Sequence, residues 1–456
     1  VPNPKQIRDF VSDHSGQYLA DLKQACSIPS VSTEGNGFLE MTAWLDEKLT
    51  GLGANVRRLS VPDSADALLG VIPGSGDKTL MIYDHYDVQP VDPLHLWASP
   101  PFEPTERDGH LYARGAADNK GDLVARLSAL AAYRDLYGEL PFTVKFFIEG
   151  EEESGSLHFE QICQKFSEDL RSDHCVWEGA WLDLEDRPAI YYGCKGLLYL
   201  ELTHKALSGD QHSSIAVYAP SAAWELLQAI SSMKDDQGTI LIEGLHEGII
   251  QPSRAEEKLL EDLPFSEAAT LKALGISGFL GGMTGTELKR QMLYSPTANL
   301  AGFHTGYGVP GATKTVLPAE AMAKMDFRLV PDQSAHEVAA KVRHHLADRG
   351  FGEIKVEILG AEEPSRSPMD SLLGKAVETA AADWFDKPST VYPFMWAAGP
   401  MFPIAQGLGI PICCPPGVGR TDSNLHAPNE NCRIDDYLDI VGYTVSYLAE
   451  YGAGPS

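Results

Sequence analysis

The sequence predicts an α/β protein: a mixed, mostly parallel sheet flanked by helices, interrupted by an inserted α+β domain. Three observations predict it. Helical and strand patterns alternate through the first two hundred residues, the character changes around Gly193–Gly196, and short apolar runs return after about residue 395 before a closing helix. Strand, helix, strand in that order implies a right-handed crossover between parallel strands. The expected layout is a discontinuous first domain, 1–193 with 396–456, and an inserted second domain, 194–395.

Each element has a local reason. Residues 4–26 put Ile7, Phe10, Val11, Leu19 and Leu22 on one helical face, and 38–52 read as a second helix ended by Gly51 and Gly53. The apolar runs Thr79–Tyr83 and Phe142–Ile148 read as buried strands. A helix from about Asp122 to Tyr137 lies between them, with Leu123, Leu127 and Leu130 on one face. In the inserted domain, Leu197–Thr203, Ala323–Val330 and Glu353–Leu359 read as strands, with helices at Ser221–Met233 and Ser334–Arg349. That set fits a small sheet covered on one face, of the split-βαβ kind. Residues 234–300 carry few strand signals and read as an insertion or long loops. Ile410–Cys413 is a short apolar run, and Tyr437–Tyr451 the closing helix.

Composition narrows the function. The chain has 456 residues, with 36 Lys+Arg against 64 Asp+Glu, a formal net charge of −28. So negative a surface repels phosphate backbones and anionic lipids, so neither nucleic acid nor a membrane surface is an expected partner. There is no transmembrane-length apolar run, and Val1–Phe10 lacks the basic-then-apolar layout of a secretory signal. The seven cysteines are scattered and contain no CxxC pair, so no thiolate metal site or disulfide framework is indicated, and a reducing cytoplasm is the expected location. A GxSxG elbow and an HExxH helix are both absent.

Four segments carry the chemistry. His85 and Asp87 follow a strand two residues apart, so both point to one side and the carboxylate can orient the imidazole. Taken alone, such a pair reads as a turn histidine. Asp118, entering the Asp122–Tyr137 helix, reads alone as an N-cap. Glu149, Glu151, Glu152 and Glu153 crowd one loop after a strand. They form either a solvated acidic loop or a cluster compensated by a cation, with one carboxylate on the metal and its neighbour free as general base. His426 lies in a polar loop. Together, two histidines and several carboxylates without cysteine, at the carboxyl ends of neighbouring strands, suit two divalent cations, zinc first, with manganese or cobalt as alternatives.

At these residues the sequence resembles the carnosine-dipeptidase-like branch of the aminoacylase/carboxypeptidase-G family of co-catalytic di-metal metallopeptidases. The resemblance spans nearly the whole chain. It rests on five motifs in family order: HxDVQP at His85–Pro90, W-x-x-x-PF at Trp97–Phe102, RGxxDNKG at Arg114–Gly121, EGxEESGS at Glu149–Ser156, and the final His426. It implies a zinc-peptidase-like catalytic domain with a ferredoxin-like lid and dimerisation domain. It also implies hydrolysis of an amide bond in dipeptides or small peptides, by a metal-bridging hydroxide with Glu152 as general base. His85 and Glu178 would hold one metal, Glu153 and His426 the other, and Asp118 would bridge them, with Asp87 supporting His85 and the Asp118–Asn119 bond cis. His212 matches a histidine offered across a homodimer interface to the substrate oxyanion, and Thr315 and Arg328 match substrate-contacting positions. An amidohydrolase acting on N-acyl or N-carbamoyl amino acids, and a non-hydrolytic metal- or peptide-binding relative, stand as alternatives.

Two departures are plain. Relatives carry Gly before the first metal histidine, where this chain has Asp84. They also carry a Gly-Gly-Ser turn for the substrate carboxylate, where this chain reads Phe394–Pro400 with Trp396 in it.

Overall fold

The first helix, Pro4–Ser27, starts where the Asn3 side chain accepts hydrogen bonds from the backbone N–H groups of Lys5 and Gln6, with Pro4 in its first turn. Its buried face, Ile7, Val11, Tyr18, Leu22, Ala25 and Cys26, joins the core of the first unit. The structure, a computed structural model, describes residues 3–183 and 185–454. Residues 1, 2, 184, 455 and 456, all within the expected first domain, lie outside the described residues.

The chain divides into two units. The first takes the chain up to Gly193, Arg366–Pro393, and the chain from Pro400; the second takes Cys194–Ser365 and Phe394–Gly399. The main sheet of the first unit runs Asn55–Leu59, Ala67–Ile72, Thr143–Glu149, Thr79–His85, His174–Val176, Ile412–Cys413. Its first two pairings are antiparallel and the remaining three parallel. Register places His85 opposite Glu149, so both motif-bearing strands end level at their carboxyl ends. The helix Lys120–Tyr137, the expected crossover, is buried nearly all round, including Asp122 and Arg126, and not on a single apolar face.

The second unit is a four-stranded antiparallel sheet in the order Asn299–Thr305, Glu320–Leu329, Gly196–Lys205, Lys355–Glu362. Leu198, Leu200 and Leu202 alternate inward, and the helices Ala222–Ser231 and Ala335–Asp348 cover that face. One buried face and one open face is the usual economy of an antiparallel sheet.

Two expectations are corrected. The sequence assigned 194–395 to the inserted domain, but Arg366–Pro393 belongs to the first unit. There the helix Leu372–Trp384 buries Leu373, Ala376, Val377, Ala380 and Ala381 in the catalytic core, and Thr390–Tyr392 pairs in parallel with Ala189–Tyr191. Gly442 permits this contact, since a Cβ there would fall 2.3 Å from the Trp384 ring. An amphipathic pattern shows that a helix has a core to join, not which one. Conversely, Phe394–Gly399 falls in the second unit, where the Lys195 N–H donates to the carbonyls of Met395 (3.1 Å) and Ala397 (2.9 Å). The second correction concerns 234–300, which holds helices at Arg254–Asp262, Glu267–Leu274 and Gly285–Tyr294 and the start of the edge strand. The first of these opens on a capping box, Ser253 with Glu256.

Candidate metal centre

Every residue expected to hold a cation comes from a different segment of the first unit, and the sheet brings them together. His85 is the last residue of its strand; Glu152 and Glu153 sit in the short turn after Thr143–Glu149; Glu178 follows His174–Val176; Asp118 precedes the helix Lys120–Tyr137. This is the carboxyl edge of the parallel strands, where open α/β sheets hold their ligands. His426 comes from the turn between Pro416–Arg420 and Asn431–Arg433, in the left-handed region at φ 58°. The Asp118–Asn119 bond is cis.

Asp118 divides its oxygens. Oδ1 lies 3.2 Å from His85 Nε2, and Oδ2 lies 3.0 Å from His426 Nε2. Each histidine is backed by a glutamate: His85 Nε2 is 3.3 Å from Glu178 Oε2, and His426 Nε2 is 3.2 Å from Glu153 Oε2. His85, Asp118 and Glu178 form one group of converging ligand atoms; Asp118, Glu153 and His426 form the other. Glu152 belongs to neither group, and its Oε2 stands 4.0 Å from His85 Nε2.

The surrounding groups fix this geometry. His85 Nδ1 meets the Asp87 carbonyl at 3.1 Å and its Oδ1 at 3.4 Å, so the ring turns Nε2 toward the cluster. Asp87 Oδ2 accepts the Glu153 N–H at 3.0 Å, and Gln89 Nε2 donates to Glu153 Oε2 at 2.8 Å. Trp177 Nε1 donates to Glu178 Oε1 at 2.7 Å. Behind Glu178, a Cβ on Gly179 would fall 2.3 Å from Asp122 Oδ2 and 2.5 Å from Gly417 Cα, so only glycine lets these segments close.

Electrostatics favour a cation. His85 Nε2 and Glu153 Oε1 are buried without a hydrogen-bond partner, a costly state that a cation relieves. Burial, reinforced by Glu178, Glu153 and Asp118, pushes the Glu152 carboxyl well above the usual carboxylate range despite the opposing effect of His85. Burial also raises Glu153, with Asp118 adding to it. Burial opposes charge on Asp118, but hydrogen bonds from His426 and His85 hold its carboxyl below the usual range. Hydrogen bonds to Asp118 and Glu153 lift His426 to about 10. Oxygen and imidazole donors in two groups that share one carboxylate fit two divalent cations.

Residues outside the expected site organise it. Glu430, fully buried, accepts hydrogen bonds from Arg114 Nη1 (2.6 Å) and from the N–H groups of Gly115 (3.1 Å), Ala117 (3.0 Å) and Asp118 (2.9 Å). It thereby ties the His426 loop to the Asp118 loop. Arg114 also lies over the Trp97 ring, and Asn429 bonds the Leu96 carbonyl and Ala98 N–H, which accounts for the W-x-x-x-PF motif. Gln89 was visible in its motif without a role. The PNE run after His426 was the only sequence signal for Glu430, and nothing local gave its partners.

The sequence matches Peptidase family M20/M25/M40 over residues 81–450. The chain belongs to that family. Human Beta-Ala-His dipeptidase is 30% identical over 368 residues, covering 75% of this chain and 71% of the relative. The Cys-Gly metallodipeptidase of Candida albicans is 28% identical, covering 97% of this chain and 96% of the relative. Among solved structures, an M20 family metallo-carboxypeptidase from Sulfolobus solfataricus superposes with a TM-score of 0.87 at 36% identity, over 96% of this chain and 99% of that one. This M20 member is a metallopeptidase, and its two-domain α/β fold is that of the family.

The expected substrate-facing residues of this peptidase lie in its second unit. His212 is exposed after the strand Gly196–Lys205, its Nδ1 2.8 Å from Ser214 Oγ. Thr315 is exposed in the loop before Glu320–Leu329. Arg328 is half-buried on that strand, directly opposite Leu197.

Proposed function

We propose that this M20 peptidase hydrolyses dipeptides or other small peptides with a free terminal carboxylate, using two divalent cations, zinc first. The observation that carries the reading is the Asp118 carboxylate, whose two oxygens serve two separate histidine–glutamate pairs while Glu152 remains outside both. His85, Glu178 and Asp118 would hold one cation; Asp118, Glu153 and His426 would hold the other. When bound, such cations polarise the scissile carbonyl and lower the pKa of water from about 15.7 toward about 7. Glu152, outside both ligand groups, takes the proton from the attacking water and returns it to the leaving amine. Asp87 keeps the His85 ring oriented.

The similar enzymes named as dipeptidases and the one named as a carboxypeptidase share a demand for a peptide bond near a free carboxylate. Arg328 meets that demand, because its planar fork donates to two carboxylate oxygens, with Thr315 as a second contact. The segment Phe394–Gly399, with Trp396 exposed, stands in the sequence where the resemblance places a Gly-Gly-Ser turn. A panel of dipeptides, longer peptides, N-acyl and N-carbamoyl amino acids decides the substrate class. Chelator-sensitive turnover is expected on the peptides, and turnover confined to the acyl or carbamoyl compounds would overturn the reading.

A homodimer in the cytoplasm completes the proposal. The second unit exposes Val217, Tyr218, Trp224 and Leu227, and its edge strand Asn299–Thr305 exposes Leu300 and Phe303; apolar edges of this kind are ordinarily covered by a partner. All seven cysteines are buried, and Cys26, Cys163, Cys175, Cys413, Cys414 and Cys432 are free thiols, which suits a reducing compartment. His212 then serves the substrate oxyanion of the partner's site. Inactive His212→Ala and inactive Glu152→Gln subunits, mixed into verified heterodimers, are expected to recover part of the native rate; absence of recovery would refute the shared site.

A further inference from the structure

The strand that ends at His85 and the strand that precedes Glu178 are paired only as far as Ile82 and Val176. Past that rung the guanidinium of Arg126, on the helix Lys120–Tyr137, takes over. Its Nη1 donates to the Tyr83 carbonyl at 3.1 Å and to Asp84 Oδ1 at 2.6 Å, and its Nη2 donates to the Trp177 carbonyl at 2.7 Å. The Tyr83 and Trp177 rings stack above with centroids 3.7 Å apart. One planar group therefore substitutes for the next rung of the ladder, two residues before His85 and one before Glu178. It is sealed from water, with Asp84 at 0% and Arg126 at 2% exposure. A buried guanidinium cannot shed its proton, so it needs a counter-charge, and Asp84 supplies it.

We propose that Arg126, held by Asp84, is a positioning residue that sets the spacing of His85 and Glu178 and so the affinity of the cation site they share with Asp118. The inference rests on reading the two ligand groups as cation sites. A lysine at this position keeps the charge beside Asp84 but cannot hold two carbonyls and a carboxylate in one plane. An arginine that only filled the core would leave the two cation sites equally affected by its loss.

The test uses metal-free protein titrated with Co²⁺ against a chromophoric chelator, alongside the visible spectrum of the bound cobalt. Native protein takes up two equivalents. Arg126→Lys is expected to weaken one equivalent by ~10–100-fold, to alter the absorption of that cobalt alone, and to leave the other equivalent at native affinity. If Arg126→Lys does not fold, the double variant Asp84→Gly/Arg126→Leu removes both charges together and is expected to show the same selective loss. Native affinity for both equivalents in a folded variant, or equal weakening of both with a lowered melting temperature, would overturn the proposal. Fewer than two equivalents in native protein would instead overturn the two-cation reading, and the brace with it.

Discussion

Glu152→Gln is expected to retain both cations and lose ~10²–10⁴-fold or more in kcat, because one side chain handles two proton transfers. The substitution is nearly isosteric and removes a negative charge from a crowded cluster. Glu178, Glu153 and Asp118 all disfavour the Glu152 carboxylate, so relieving that repulsion should not disorder the site. Elemental analysis of the purified variant should therefore match native protein, and KM should change far less than kcat. Turnover within tenfold of native, with metal content intact, would remove Glu152 from the role of base.

Asp118→Ala carries the second large effect, and it falls on metal content before rate. Asp118 is the one carboxylate common to both ligand groups, so its removal deprives each cation of a donor. It also leaves only Glu153 and Glu178 to balance two divalent charges brought close together. Equilibrium dialysis is expected to find neither equivalent bound at native affinity, and hydrolysis should vanish with them. His426→Ala is the control: it affects only the group containing Glu153, so one equivalent should stay. Two tightly held equivalents in Asp118→Ala would show that the carboxylate is not shared.

The candidate ligands stood out in the sequence only together: the HxD pair, the Asp leading a helix and the loop histidine each read blandly alone, the acidic loop was ambiguous, and Glu178 was indicated by the family resemblance alone. What holds those runs in place was not legible. Glu430 meets Arg114 and the loop leading to Asp118 across more than three hundred residues of sequence, and no local pattern encodes such a meeting. For the helix that carries Arg126 the sequence showed only the Leu123, Leu127 and Leu130 face and assigned Arg126 nothing, whereas the helix is buried nearly all round as far as Tyr133 and Arg126 is paired inside with Asp84. The domain limit failed at Leu372–Trp384 for a related reason. Its apolar face suits either core, and only packing against Gly442 and its neighbours assigns it to the first.

The ligands are also divided in time. His85, Asp118, Glu153 and Glu178 leave the ribosome before the second unit, whereas His426 and Glu430 follow it. A growing chain can thus assemble one histidine–glutamate pair with Asp118 while the other pair still lacks its histidine, and while the Asp118 loop lacks the carboxylate that pins it. Domains tend to fold as units during synthesis. Here, though, the first unit cannot finish until the second has been translated in full, so any metal acquired earlier would sit in half a centre.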